Sequence, residues 1–265
     1  MMQLRGVFVA LGLSVAVLLP QSAGSMDVGI AVTPAKLEVS IPAGATYNLP
    51  ITVQNSSGDP AHVQASLVDF SVGLSGEYRF MRVGSGPYSL LKWAAIRPRE
   101  FDVPQGTTQQ VQLTISIPQQ SGLSGEYGGI VFFQTRPSRS NARNGVVFSV
   151  RVASKIYETI PGTAKLDGAI AKMSAASSSK GESYRVLFRN TGNTHVYLHG
   201  QLSVQRGNSV VEQVQLANDE LVERGGERLL QVFGRRLDPG SYQAIATLDY
   251  GGKTETGGEI AFDVH

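Results

Sequence analysis

The sequence predicts an all-β protein of two tandem sandwich domains, and three observations predict it. Short runs of alternating or β-branched residues recur from Val28 onward, clusters of Gly, Pro, Asn, Asp and Ser separate them, and helical periodicity is all but absent. The chain has 265 residues, 42% of them hydrophobic, which suits ordered domains rather than a solvating tail.

At the amino terminus, Arg5 precedes an apolar run from Gly6 to Pro20, followed by the small residues of Gln21-Ser22-Ala23-Gly24-Ser25. This is the layout of a secretory signal peptide, assigned to residues 1–25. Its apolar core is shorter than a bilayer span, and no later stretch is apolar enough to cross, so the expected product is exported, periplasmic and not membrane-spanning. The chain contains no Cys, which excludes lipoprotein processing, thiol chemistry and cysteine metal sites. With 23 Lys+Arg against 21 Asp+Glu the net charge is +2, and no nucleic-acid partner is expected.

The first domain, residues 26–161, takes its strands from Ala35 to Ile41, Tyr47 to Gln54, Ala61 to Phe70, Gln109 to Ile117, Gly129 to Thr135 and Val146 to Ile160. Pro42-Ala43-Gly44, Asn55 through Pro60 and Pro104-Gln105-Gly106 supply turns. Counting the long last run as one strand or two gives about seven, the number an immunoglobulin-like sandwich requires. Pro161-Gly162-Thr163 marks the boundary, because Pro ends a ladder and Gly lets the chain change direction. The second domain, residues 162–265, reads as Leu166 to Met173, Tyr184 to Asn190, His195 to Gln205, Val210 to Leu216, Glu227 to Phe233, Ser241 to Tyr250 and Glu259 to Val264. That is a second sandwich of about seven strands.

Catalytic patterns are missing. His195 and His199 share a predicted strand face but have no third ligand nearby in sequence, and partly exposed strand histidines are the expectation, with no metal site. No nucleophile elbow, zinc-protease helix or phosphate loop occurs, so neither an enzyme nor a cofactor is expected. A five-residue echo, Leu74-Ser75-Gly76-Glu77-Tyr78 and Leu123-Ser124-Gly125-Glu126-Tyr127, is too short for a structural repeat and reads as reuse of a favourable turn.

Several segments of the first domain carry a family pattern. They are Thr33-Pro34-Ala35-Lys36-Leu37-Glu38-Val39, Leu49-Pro50-Ile51-Thr52-Val53-Gln54-Asn55-Ser56, Ile96-Arg97-Pro98 through Gly106, Val111 to Ile115, and Gly128-Gly129-Ile130-Val131-Phe132-Phe133. The pattern, over Val32 to Pro161, resembles the amino-terminal domain of the PapD-like periplasmic pilus chaperones. The resemblance implies a protein that lends a strand to a β-rich, pilin-like subunit lacking one of its own, with an outer-membrane assembly protein as a further partner. An incomplete sandwich has an open groove and unpaired edges that a lent strand would cover. The matching donor strand presents Val146, Phe148, Val150 and Val152 on one face; the same residues would equally serve as core of their own domain. Lys36 and Lys155 match the family's two basic residues that hold a client's terminal carboxylate, although the family has Arg at the first position, and each also reads as a solvated strand lysine. Ser71 to Tyr88 is a long insertion for the family, and Arg136 to Arg143 is a basic loop. A non-catalytic envelope module, binding protein or glycan through these loops with Tyr78, Phe80 and Tyr88, is the alternative function.

Overall fold

The computed structural model describes residues 29–137 and 148–265. The signal segment and Val146 therefore lie outside the described residues, as does most of the basic loop. The fold is all-β, with one 3-10 turn among the described residues, at Leu90–Trp93.

Up to residue 160 the strands are β1 (Ile30–Thr33), β2 (Lys36–Ser40), β3 (Thr46–Asn55), β4 (Ala61–Val72), β5 (Tyr78–Met81), β6 (Ala94–Arg97), β7 (Glu100–Val103), β8 (Thr108–Ser116), β9 (Glu126–Thr135) and β10 (Arg151–Thr159). One sheet has the order β1-β3-β8-β6; the other runs β2-β10-β9-β4-β5, with β7 also on β4. The run predicted from Ala35 to Ile41 is joined by β1, because the chain crosses between sheets at Pro34. Pro34 has no N–H with which to continue the ladder. β1 pairs antiparallel with β3, and β2 pairs parallel with β10. The run predicted from Val146 to Ile160 is one strand from Arg151.

Alternation places the core. On β8, Val111, Leu113 and Ile115 are buried while Gln110, Gln112 and Ser116 face away from the core. They meet Ile51 and Val53 of β3, Val131 and Phe133 of β9, and Ile156 of β10. β9 is buried on both faces, which fits its continuous apolar run. Its outer face is covered at Phe132 by Phe80, whose ring centroid lies 5.0 Å away. On the inner face, which Gly129 shares with Val131 and Phe133, its lack of a side chain makes room for Leu91, because a Cβ would stand 2.4 Å from Leu91 Cδ2.

Beyond Pro161 come β11 (Gly168–Ser178), β12 (Gly181–Asn190), β13 (Val196–Arg206), β14 (Ser209–Val222), β15 (Glu227–Phe233), β16 (Gly240–Asp249) and β17 (Thr256–Val264). They form a three-stranded sheet, β11-β12-β15, and a four-stranded one, β14-β13-β16-β17. Tyr184, Val186, Phe188, Leu198, Leu202, Val204, Ala246 and Leu248 fill the space between them.

Each sandwich closes one strand end with a buried asparagine. Asn55 donates to the carbonyls of Asp59 and Val103 at 2.8 and 2.9 Å. Asn190 donates to those of Thr194, Val222 and Glu223 at 2.8, 3.3 and 3.1 Å, and its oxygen accepts from Gly192 N. Removing such a side chain orphans buried carbonyls. Asn190→Ala is expected to lower stability by about 2 kcal/mol, measured by urea unfolding; a change within experimental error would show that the carbonyls find other partners.

Candidate functional site

The two lysines singled out by the family pattern stand side by side. Lys36 opens β2 and Lys155 is its register partner on β10, at the point where the parallel pairing begins. Ala35 O accepts from Lys155 N at 2.9 Å and Pro34 O from Ser154 Oγ at 2.7 Å, which fixes that register. Both side chains rise from the outer face of the sheet into a cleft walled on its other side by the second domain.

Each ammonium is already engaged. Lys36 Nζ lies 2.8 Å from Glu38 Oε1 and donates to Tyr197 OH at 2.9 Å. The Glu38 contact raises the Lys36 ammonium above its ordinary range and, reciprocally, holds the Glu38 carboxyl below its own. Lys155 Nζ donates to Tyr78 OH at 2.6 Å and Tyr157 OH at 3.2 Å. It stands 5.0 to 5.7 Å from the ring centroids of Phe70, Tyr78 and Tyr157, an aromatic surround that attracts a cation through the ring quadrupoles. Tyr157 OH donates in turn to Glu223 Oε1 at 2.6 Å. Burial pushes the Glu223 carboxyl up, while the Tyr157 bond opposes that.

The floor of the cleft joins the domains. Glu126, 4% exposed, places Oε2 at 2.6 Å from His195 Nδ1 and accepts His195 N on Oε1 at 3.2 Å. The His195 ring stacks on Tyr157 at 4.2 Å. Arg224 donates to the carbonyls of Ser124 and Glu126 at 2.9 and 2.8 Å and lies 3.8 Å over the Tyr88 ring. His199, in contrast, is on the surface near Asp219. The two histidines therefore serve different places, and no group of His, Asp or Glu suited to a metal occurs among the described residues.

Beside the lysines lies an open sheet edge. β2 pairs only with Lys155 to Thr159, whereas β9 pairs with β10 from Arg151. Arg151 to Ser154, with the lead-in from Phe148, thus have no strand on their other side among the described residues. Thr135 N donates to Val150 O, so the antiparallel alternation turns the N–H and C=O of Arg151 and Ala153 toward that vacant side. Val150 and Val152 pack against the protein's own core, and Phe148 is 49% exposed. The aromatic residues of the insertion have partners within the chain: Tyr78 meets Lys155, Phe80 meets Phe132 and Tyr88 meets Arg224. Arg136 of the basic loop pairs with Glu100 at 2.9 Å.

Sequence reasoning missed Glu38, Glu126, Tyr157, Tyr197 and Glu223. The signal that pointed to part of the site was the five-residue echo, since both copies reach the second domain: Glu126 meets His195, and Leu74 O accepts from Leu229 N at 2.8 Å.

Sheets, cleft and edge define a two-domain immunoglobulin-like protein with a basic site at the junction of its sandwiches. No family model and no curated protein matches the sequence. Among solved structures, the class 5 fimbriae chaperone CfaA aligns over 88% of this chain and 98% of its own, at 12% identity and a TM-score of 0.50. The chaperone DraB of E. coli aligns over 89% and 96% at 14% identity, with a TM-score of 0.45. The CsuC-CsuE chaperone-tip adhesion subunit complex of Acinetobacter baumannii gives 87% and 97% at 13% identity, with a TM-score of 0.46. The likeness to CfaA is one of fold, and it extends over both sandwiches the resemblance read in the first. The chain has the two-domain fold of the fimbrial chaperones.

Proposed function

We propose that this protein is a periplasmic chaperone for subunits of a surface fibre. It binds a β-rich client along the free edge of β10 and holds the client's terminal carboxylate at Lys36 and Lys155. The observation that carries the reading is the register pairing of those lysines directly beside the open edge, on a fold shared with a fimbrial chaperone. Extended chain added to that edge would satisfy the outward amides of β10, and two ammonium groups 119 residues apart in sequence would receive one anion. Phe148, half exposed at the start of the edge, would supply apolar contact to the client. The action is binding without cofactor or catalysis, and hand-over to an outer-membrane assembly protein would proceed by a competing strand.

The test is capture from the native envelope by the mature protein, comparing wild type with Phe148→Glu and with the Lys36→Ala, Lys155→Ala double variant. Wild type is expected to retain a subunit-like β protein, and both variants to lose most of it while keeping the wild-type circular dichroism. If both folded variants capture the same partner as wild type, binding lies elsewhere and the loop-binding module replaces this reading.

A further inference from the structure

The loop joining β4 to β5 reaches the second domain. Among the described residues β15 is an edge strand, hydrogen-bonded within its sheet to β12 alone, and Leu74 O accepts its outward Leu229 amide at 2.8 Å. Beside it Gly76, at φ +89°, lies so near Arg228 that an added Cβ would stand 1.8 Å from Nη1. The guanidinium is bound to Glu220 through Nη2, so a side chain at Gly76 would crowd that pair, and the left-handed φ adds strain wherever the guanidinium goes. Two residues on, Tyr78 holds Lys155. One short loop therefore touches an edge strand of the second sandwich and a basic residue of the first. It is lightly held. β5 pairs with β4 through four residue pairs, and Leu74, Tyr78 and Phe80 are 47%, 40% and 52% exposed.

We propose that residues 73–78 are a displaceable strap. Closed, it keeps Lys155 bound to Tyr78 and ties the domains across the mouth of the cleft. Lifted, it withdraws Tyr78 and leaves the ammonium on Tyr157 alone, open to an incoming carboxylate whose charge-assisted hydrogen bond outcompetes that of a neutral phenol. The role rests on the reading of the lysine pair as a carboxylate site; the coupled opening of the strap is a property of the chain alone.

The experiment uses the purified mature protein without a client. It follows the rate at which formaldehyde and a borohydride donor methylate Lys155, read by mass spectrometry, and hydrogen exchange at the Leu229 amide. Tyr78→Phe deletes the nearer of the two hydroxyls that hold Lys155. Gly76→Ala crowds the tip against Arg228 and strains it by placing a side chain in the left-handed region, without touching the lysine. Both are expected to raise the methylation rate on the order of tenfold, and Gly76→Ala to accelerate Leu229 exchange while amides of β9 keep the wild-type rate. Faster Leu229 exchange with unchanged Lys155 methylation overturns the proposal, because tip and lysine would then be uncoupled; neither quantity moving overturns it too, because a strap that a side chain at Gly76 does not lift is not displaceable. Failure to capture a subunit from the envelope, with the strap opening as expected, would remove the client reading and leave the coupled strap standing.

Discussion

Replacing Glu126 by alanine is expected to destabilise the protein by about 3 kcal/mol and to separate the unfolding of its two domains. The carboxylate is almost wholly buried and bonds both the ring and the backbone amide of His195, which is itself shut in against Tyr157. Deleting Glu126 leaves Nδ1 and the backbone N of His195 buried without their acceptor, with Glu38 Oε1 still 3.5 Å from Nε2, and that loss exceeds the net worth of the intact contact. The backbone ties at the same place, Glu126 N to Asn193 O and Arg224 to two carbonyls, survive the substitution but do not satisfy the imidazole. Urea unfolding followed separately through Trp93 fluorescence and far-ultraviolet dichroism reads both effects. Coincident transitions at the wild-type midpoint would show that Glu126 is dispensable to the junction.

A second large effect belongs to pH. Glu158 is completely buried on β10, its Oε1 accepting Ile41 N at 3.3 Å, and burial pushes its carboxyl up to about 7 from 4.5. Below pH 4.5 the group is protonated in both folded and unfolded chains and has no net effect. Between 4.5 and about 7 the folded chain keeps a proton that the unfolded chain has released, so stability falls as pH rises, and above about 7 the loss is complete. The loss amounts to about 3 kcal/mol. Glu223, also raised by burial, acts in the same direction, and Glu38, held low by Lys36, acts in the opposite one. The clean measurement is therefore the difference between wild type and Glu158→Gln, expected to shift by about 3 kcal/mol in favour of the variant between about pH 4.5 and about pH 8. A difference that stays constant across that range would mean that Glu158 ionises in the fold as it does in water.

The sandwiches were legible because their cores are written as alternation: Val111, Leu113 and Ile115 face inward as their spacing requires. Strands β5, β6 and β7 were not, since four residues carry too little period to distinguish a strand from a loop. The insertion-like stretch from Ser71 thus concealed a strand that shields Phe132. Lys36 and Lys155 were named through a family pattern; nothing local in the sequence says that residues so far apart share a register. Tyr78 comes to Lys155 from a distant strand of the same domain, and Tyr197 and Glu223 come to the site from the second domain, so no short window contains them together. The repeated Leu-Ser-Gly-Glu-Tyr, read as a convenient turn, was the one local trace of that docking.

The switch of pairing partner at Pro34 divides β10 into a half clamped on both sides and a half clamped on one. Tension applied along a strand laid on the vacant half would load its hydrogen bonds together, in shear, as a lap joint is loaded. Lifting that strand from one end would instead break them singly, as a zip opens. Such an edge resists being pulled along its length and yields to peeling.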